Sequence, residues 1–216
     1  MMDRFFDGVR WNPEAVIAAQ LDRANQRATS LGLQLTRSNV LANPLSGSFV
    51  SSFERTARCV LPDEYRSFLL QVGDGGDGPG LQLRQLGAPF ERSNAWRRGE
   101  IYVGPLEPNA RLDQPFPYAE AEPADPSFIE ALNADVFPEQ FVVDPQDAVA
   151  LGYPGALYLF DWGASVWDLL VVNGVSYGEI WADRVADGHG CSPVSVNSAR
   201  SGFAEYYCAW LAGAGD

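Results

Sequence analysis

The amino-acid sequence predicts an α+β protein, a mostly antiparallel sheet flanked by helices, with the helices leading and most of the strands following. Three observations predict it. Apolar residues recur at helical spacing through the first third of the chain, three β-rich runs between Gly155 and Asp183 are separated by short turns, and an aromatic-faced helix closes the chain. Parallel strands need crossovers of about a dozen residues or more, so these hairpin-length links point to an antiparallel meander and away from a βαβ array.

Within residues 12–33, Ile17, Leu21, Ala24, Ala28 and Leu31 fall at helical spacing, and Pro13 and Glu14 suit a first turn. That predicts one amphipathic helix ending near Gly32. Residues 46–58 form a second, shorter helix, because Phe49, Val50 and Phe53 can share a face. The clearest periodicity is over 62–72, where Leu61, Tyr65, Phe68, Leu69 and Val72 align, Pro62 suits the first turn and Gly73 the end. A glycine-rich turn at 73–80 then leads into a strand over 81–86.

A second strand is predicted over 101–106, and a proline- and acid-rich irregular surface segment over 107–126. Asp125 can cap a short helix carrying Phe128, Ile129 and Leu132; residues 137–153 are ambiguous. Strands follow over 155–162, 166–172 and 178–183, with a fourth over 193–196. In the closing helix, Phe203, Tyr206, Tyr207, Trp210 and Leu211 make a broad aromatic face.

Hydrophobic residues are 46% of the 216 and charged ones 20%, enough apolar surface for a core in one domain. No run approaches the ~20 apolar residues that span a bilayer, and the opening MMDRFFDGVRW has acids where a secretory signal needs a basic end and an apolar run. A soluble, cytoplasmic protein is expected. Cys59, Cys191 and Cys208 are too few and too scattered for a disulfide framework and read as buried free thiols. With one histidine and no CxxC pair, no structural zinc site is expected, and no cofactor. All fifteen basic residues are arginine, which excludes lysine Schiff-base chemistry and a Walker-type phosphate loop.

The formal net charge of −13 is concentrated in one third of the chain. Residues 112–183 hold thirteen acids and no arginine, whereas residues 1–111 carry a net +1. Unpaired acids are costly to bury, so this run is expected to give a negative surface that repels nucleic acid and anionic membranes and attracts basic proteins. The candidate partner-binding residues are Glu120, Glu122, Asp125, Asp144, Asp147, Asp161, Asp168, Glu179, Trp181 and Asp183. Alternation from Gly178 puts Glu179, Trp181 and Asp183 on one face and Ile180 and Ala182 on the core face. Trp181 then either packs under a neighbouring loop or helix or anchors a partner.

Other chemistry is weaker in the sequence. The glycine turn follows a helix, contains Asp74 and Asp77 and has no basic partner, so turn geometry explains it better than phosphate or Ca²⁺ binding. His189, in DGHG, reads as an exposed loop residue, with no nucleophile elbow to serve. Carboxylates beside Trp162, Trp167 and Trp181 also describe a glycosidase cleft, a rival in which Asp161 or Asp168 would act on substrate.

LPDEYRSFLLQVGDGGDGPGLQL, residues 61–83, resembles the amino-terminal signature of the SUKH superfamily, the Smi/Knr-type proteins. GALYLFDWG, LLVVNG, GEIWAD and FAEYYCAWL resemble that family's carboxy-terminal sheet and closing helix. The resemblance implies one domain over 1–216: a family core at 59–86 and 153–212, an added helical extension at 1–58 and an acidic insertion at 107–152. It also implies a non-enzymatic role. Bacterial members often act as immunity proteins that bind and neutralise a cognate toxin, frequently a nuclease, and fungal members act as regulatory interaction proteins. The expected partner is a basic toxin domain, occluded by the acidic surface. A regulatory scaffold without a toxin partner is the alternative, and contact through the amino-terminal extension is a third possibility.

Overall fold

The computed structural model describes residues 2–30, 41–88, 111–126, 130 and 152–213. Among them are four α-helices and a seven-stranded antiparallel sheet whose strands lie side by side in sequence order, with a separate two-stranded ribbon. The class is α+β, with helices flanking the sheet. The predicted strand at 101–106, most of the helix after Asp125, and residues 137–151 lie outside the described residues.

Helix α1 (Pro13–Ser30) starts where Asn12 accepts a hydrogen bond from the Ala15 N–H and Pro13 supplies a pre-set φ. Its buried face differs from the predicted one. Val16, Ala19 and Gln20 are buried, while Ile17 is 38% exposed. Gln20 is fully buried because its amide donates to the Tyr207 hydroxyl and to the Asp77 carbonyl, partners that no local pattern reveals. Helix α2 (Gly47–Ala57) is capped by Ser46, whose hydroxyl accepts from the Phe49 N–H, and ends at Arg58 in the left-handed region. Helix α3 (Asp63–Gln71) buries Tyr65, Phe68 and Leu69 with flanking Leu61 and Val72, the predicted face. Helix α4 (Phe203–Leu211) closes the fold. The Glu64 carboxylate of α3 accepts from the Ala204 N–H in its first turn, where the helix dipole favours an anion.

The sheet runs β1 (Leu41–Ala42), β2 (Asp74–Gly76), β3 (Gln82–Leu83), β4 (Ala156–Gly163), β5 (Val166–Val171), β6 (Ile180–Arg184) and β7 (Gly190–Pro193). The glycine turn itself contributes β2, and the strand predicted over 81–86 shortens to two residues. The fourth strand of the final third arrives earlier than expected, as β7, and residues 195–196 instead form β8 (Ser195–Val196) of a hairpin with β9 (Ala199–Arg200). Both Ala164 and Ser165, which join β4 to β5, have positive φ, as a two-residue hairpin of type I′ requires.

The main core lies between the helices and one face of the sheet. There Trp11 meets Phe68, Phe203 and Tyr207 edge-on at 5.2–6.4 Å between ring centroids. Phe5, Phe6, Trp11, Val16 and Val50 all belong to this core, and residues 41–42 give the sheet its first strand. The described part of the amino-terminal segment is therefore packed into the main core. The three cysteines are free and buried.

The other sheet face is also covered. Residues 111–124 cross it as an irregular strap that buries Leu112, Phe116 and Ala124, so this stretch is more than a surface segment. Phe116 donates its N–H to the Asn173 carbonyl, and Glu122 and Cys191 exchange two backbone hydrogen bonds at the β7 edge. Glycine is required where the strap touches down. A Cβ on Gly155 would lie 2.5 Å from the Gln114 carbonyl oxygen, and one on Gly190 2.1 Å from that of Glu122. Under the strap, Phe116 and Tyr118 pack with Tyr153, Tyr158, Trp167, Leu169 and Trp181 as a second apolar cluster.

Candidate functional site

The acidic run separates into an internal set and an outward set. Alternation along β6 holds, but the face bearing Trp181 and Asp183 is roofed by the strap. Trp181 is fully buried, its ring 4.9 Å from Phe116, and its indole N–H donates to the Glu179 carboxylate. It packs beneath a loop and offers no anchor at the surface. Asp183 is 6% exposed, and Asp168 is fully buried. These three expected surface contacts are corrected to interior positions, because both faces of the sheet are covered.

Asp168 is the centre of a polar clamp. Its Oδ1 accepts from Arg184 at 2.6 Å, and its Oδ2 accepts from the Trp162 indole N–H at 2.7 Å and from the Tyr206 hydroxyl. The clamp joins β4, β5, β6 and α4. Asp161, half-buried at the end of β4, accepts from the Gly163 N–H and from the Gln82 amide, which pins the hairpin. Both oxygens of both carboxylates are thus engaged within the fold.

Asp183 sits beside Cys191 under the strap. Burial pushes its carboxyl up to about 6, with the Val185 N–H and the Arg184 charge pulling the other way. Burial foremost, and then the Asp183 charge, raise the Tyr153 hydroxyl and the Cys191 thiol.

The outward set lies on the strap. Glu120, Glu122 and Asp125 are exposed. Asp144 and Asp147 lie outside the described residues. Arg200 reaches from β9 to Glu120 at 2.6 Å and to Glu179 at 3.4 Å, and its guanidinium lies 6.0 Å from the Trp181 ring centroid. Sequence reasoning missed this arginine, which lies 80 residues from Glu120 and carries no local signal. Asp113 approaches Arg58 at 3.9 Å. Asp113, Glu120, Asp168 and Glu179 therefore meet arginines from outside the acidic run, so the run is not a uniformly unpaired anionic surface.

His189 is exposed, as its loop position suggested. Among the described residues no group of three or more His, Cys, Asp or Glu side chains could hold a metal ion, and no helix is long and apolar enough to cross a membrane. No family model, curated protein or solved structure matches the chain.

Proposed function

We propose that this protein is a non-catalytic, cytoplasmic immunity protein of the SUKH type, which neutralises a basic toxin domain by covering its active site with the outer surface of the strap. The observation that carries the reading is the division of labour along residues 111–125. Aromatic and aliphatic side chains turn inward to seal the sheet, and Glu120, Glu122 and Asp125 stay outside. The element order also supports it: α3, the glycine turn and β3, then the β4–β6 meander and α4, follow the blocks on which the family resemblance rests. A rigid body with fixed exposed carboxylates suits rapid capture of a cationic partner, because complementary fields raise association rates by about 10- to 1000-fold at low salt.

The test is co-expression with the product of a neighbouring toxin gene, followed by stopped-flow association of the purified pair. Glu122→Arg with Asp125→Arg leaves the inward face of the strap intact and should slow association about tenfold at low salt, with the difference shrinking as salt rises. Absence of rescue argues for the regulatory scaffold, and unchanged association rates remove the strap from the interface.

A further inference from the structure

The inner side of the strap covers a carboxyl group. Asp183 is 6% exposed within β6, paired in register with Trp167 of β5 on one side and with Cys191 of β7 on the other. The strap closes over the same point, because Cys191 also exchanges two backbone hydrogen bonds with Glu122. A carboxylate held there loses most of its hydration, which is costly unless it is well paired. Asp183 accepts from the Val185 N–H at 3.2 Å, whereas the neighbouring Arg184 directs its guanidinium to the Asp168 carboxylate and to the Trp167 and Asp183 carbonyls.

Titratable and charged groups surround Asp183 from each element packed there. The strap brings Tyr118 and Glu122, the chain ahead of β4 brings Tyr153, β4 brings Tyr158, β6 brings Arg184 and β7 brings Cys191. Arg84, beside β3, lies 5.8 Å from the ring centroid of Trp167, the β5 residue paired with Asp183. Asp187 and His189, between β6 and β7, are exposed. Among these influences burial dominates, raising the Asp183 carboxyl from 3.8 to about 6 against the Val185 N–H and the Arg184 charge.

Of the covers over Asp183, the strap is the one that yields most readily. β6 lies inside the sheet with a ladder on both sides, whereas residues 116–124 are tied by separate contacts: Phe116 to Asn173, Tyr118 to Ser176, Glu120 to Arg200 and Glu122 to Cys191. The Arg200 contact is an exposed ion pair and a weak tie. We infer that Asp183 is a pH-sensitive latch for the strap: with its carboxyl neutral, residues 118–124 lie closed on β6 and β7, and release of the proton to solvent favours their lifting, which hydrates the carboxylate. The lifted form bares the apolar cluster around Trp181. The latch works on the inner side of the strap, whatever the outer carboxylates bind, so it and the immunity reading can fail separately.

Amide hydrogen exchange of the full-length protein, followed by NMR from about pH 4.5 to about pH 7.5 and converted to opening constants with the intrinsic rates, reads the latch directly. The Glu122 and Cys191 N–H groups close the strap bridge, and their opening constants should rise about 25-fold over that range, the ratio set by a carboxyl at about 6 when closed and 3.8 when open. Amides of the β4–β5 ladder should change much less. Asp183→Asn should flatten the rise, and His189→Gln should leave it as it is. If Asp183→Asn does not fold, the parent alone decides: the Val185 amide shift, which senses the carboxyl through its hydrogen bond, should titrate where the opening constants level off. Flat opening constants in the parent, a rise that survives Asp183→Asn or vanishes in His189→Gln, an equal rise in the β4–β5 ladder, or a Val185 midpoint away from the levelling point overturns the latch.

Discussion

Asp168 draws together side chains that are scattered from Trp162 to Tyr206, and its worth is best judged by what removal leaves behind. Asp168→Ala strands the half-buried Arg184 guanidinium and two aromatic donors without their acceptor. Breaking one partner of a buried pair costs about 3–5 kcal/mol, so urea unfolding of this variant should show a loss of that order. Asp183 behaves oppositely. Burial raises its carboxyl from 3.8 to about 6, so between about pH 4 and pH 6 the folded chain keeps a proton that the unfolded chain has released. The group's stabilising contribution is fully present below about pH 4, falls as pH rises through about 6, and stays low above that. Asp183→Asn keeps an acceptor for the Val185 N–H and removes the charge. It should be more stable than the parent by about 2 kcal/mol at pH 7, and the fall in stability attributable to Asp183 should be absent from its pH profile, measured by urea midpoints.

Among the elements, the strap decides most about the surface. It has no regular hydrogen-bonded ladder among the described residues: separate backbone contacts at Gly155, Asn173 and Cys191 and the Ser176 hydroxyl donating to the Tyr118 carbonyl tie it down, and Phe116 and its aromatic neighbours fill the space beneath it. Phe116→Ala should cost about 3–5 kcal/mol, and amide exchange at Glu122 and Cys191 should accelerate more than exchange in β4 or β5. Helix α1 shows why its face was mis-phased in the sequence. Hydropathy favours Ile17 over Gln20, yet Gln20 is the buried one, and its amide N–H groups donate to the Tyr207 hydroxyl and the Asp77 carbonyl. Helix α3 was fully legible: every residue on its core face is apolar, so local pattern and tertiary burial agree.

At the scale of the whole molecule, one core joins both ends of the chain. Trp11 packs on Phe68, Phe203 and Tyr207, and its indole N–H donates to the Glu64 carbonyl and the Ser67 hydroxyl. A chain lacking residues 1–30 should therefore lose cooperative thermal unfolding, not merely an accessory contact, and calorimetry would register the lost transition. The sequence alone determined the class, the three long strands, the four helices described above and the free thiols, since periodicity, turn length and cysteine spacing are local properties. Tertiary structure alone decided which acids remain outside. Burial of both sheet faces and the reach of Arg200 to Glu120 depend on chain segments dozens of residues apart, and a carboxylate's environment is set by what folds over it.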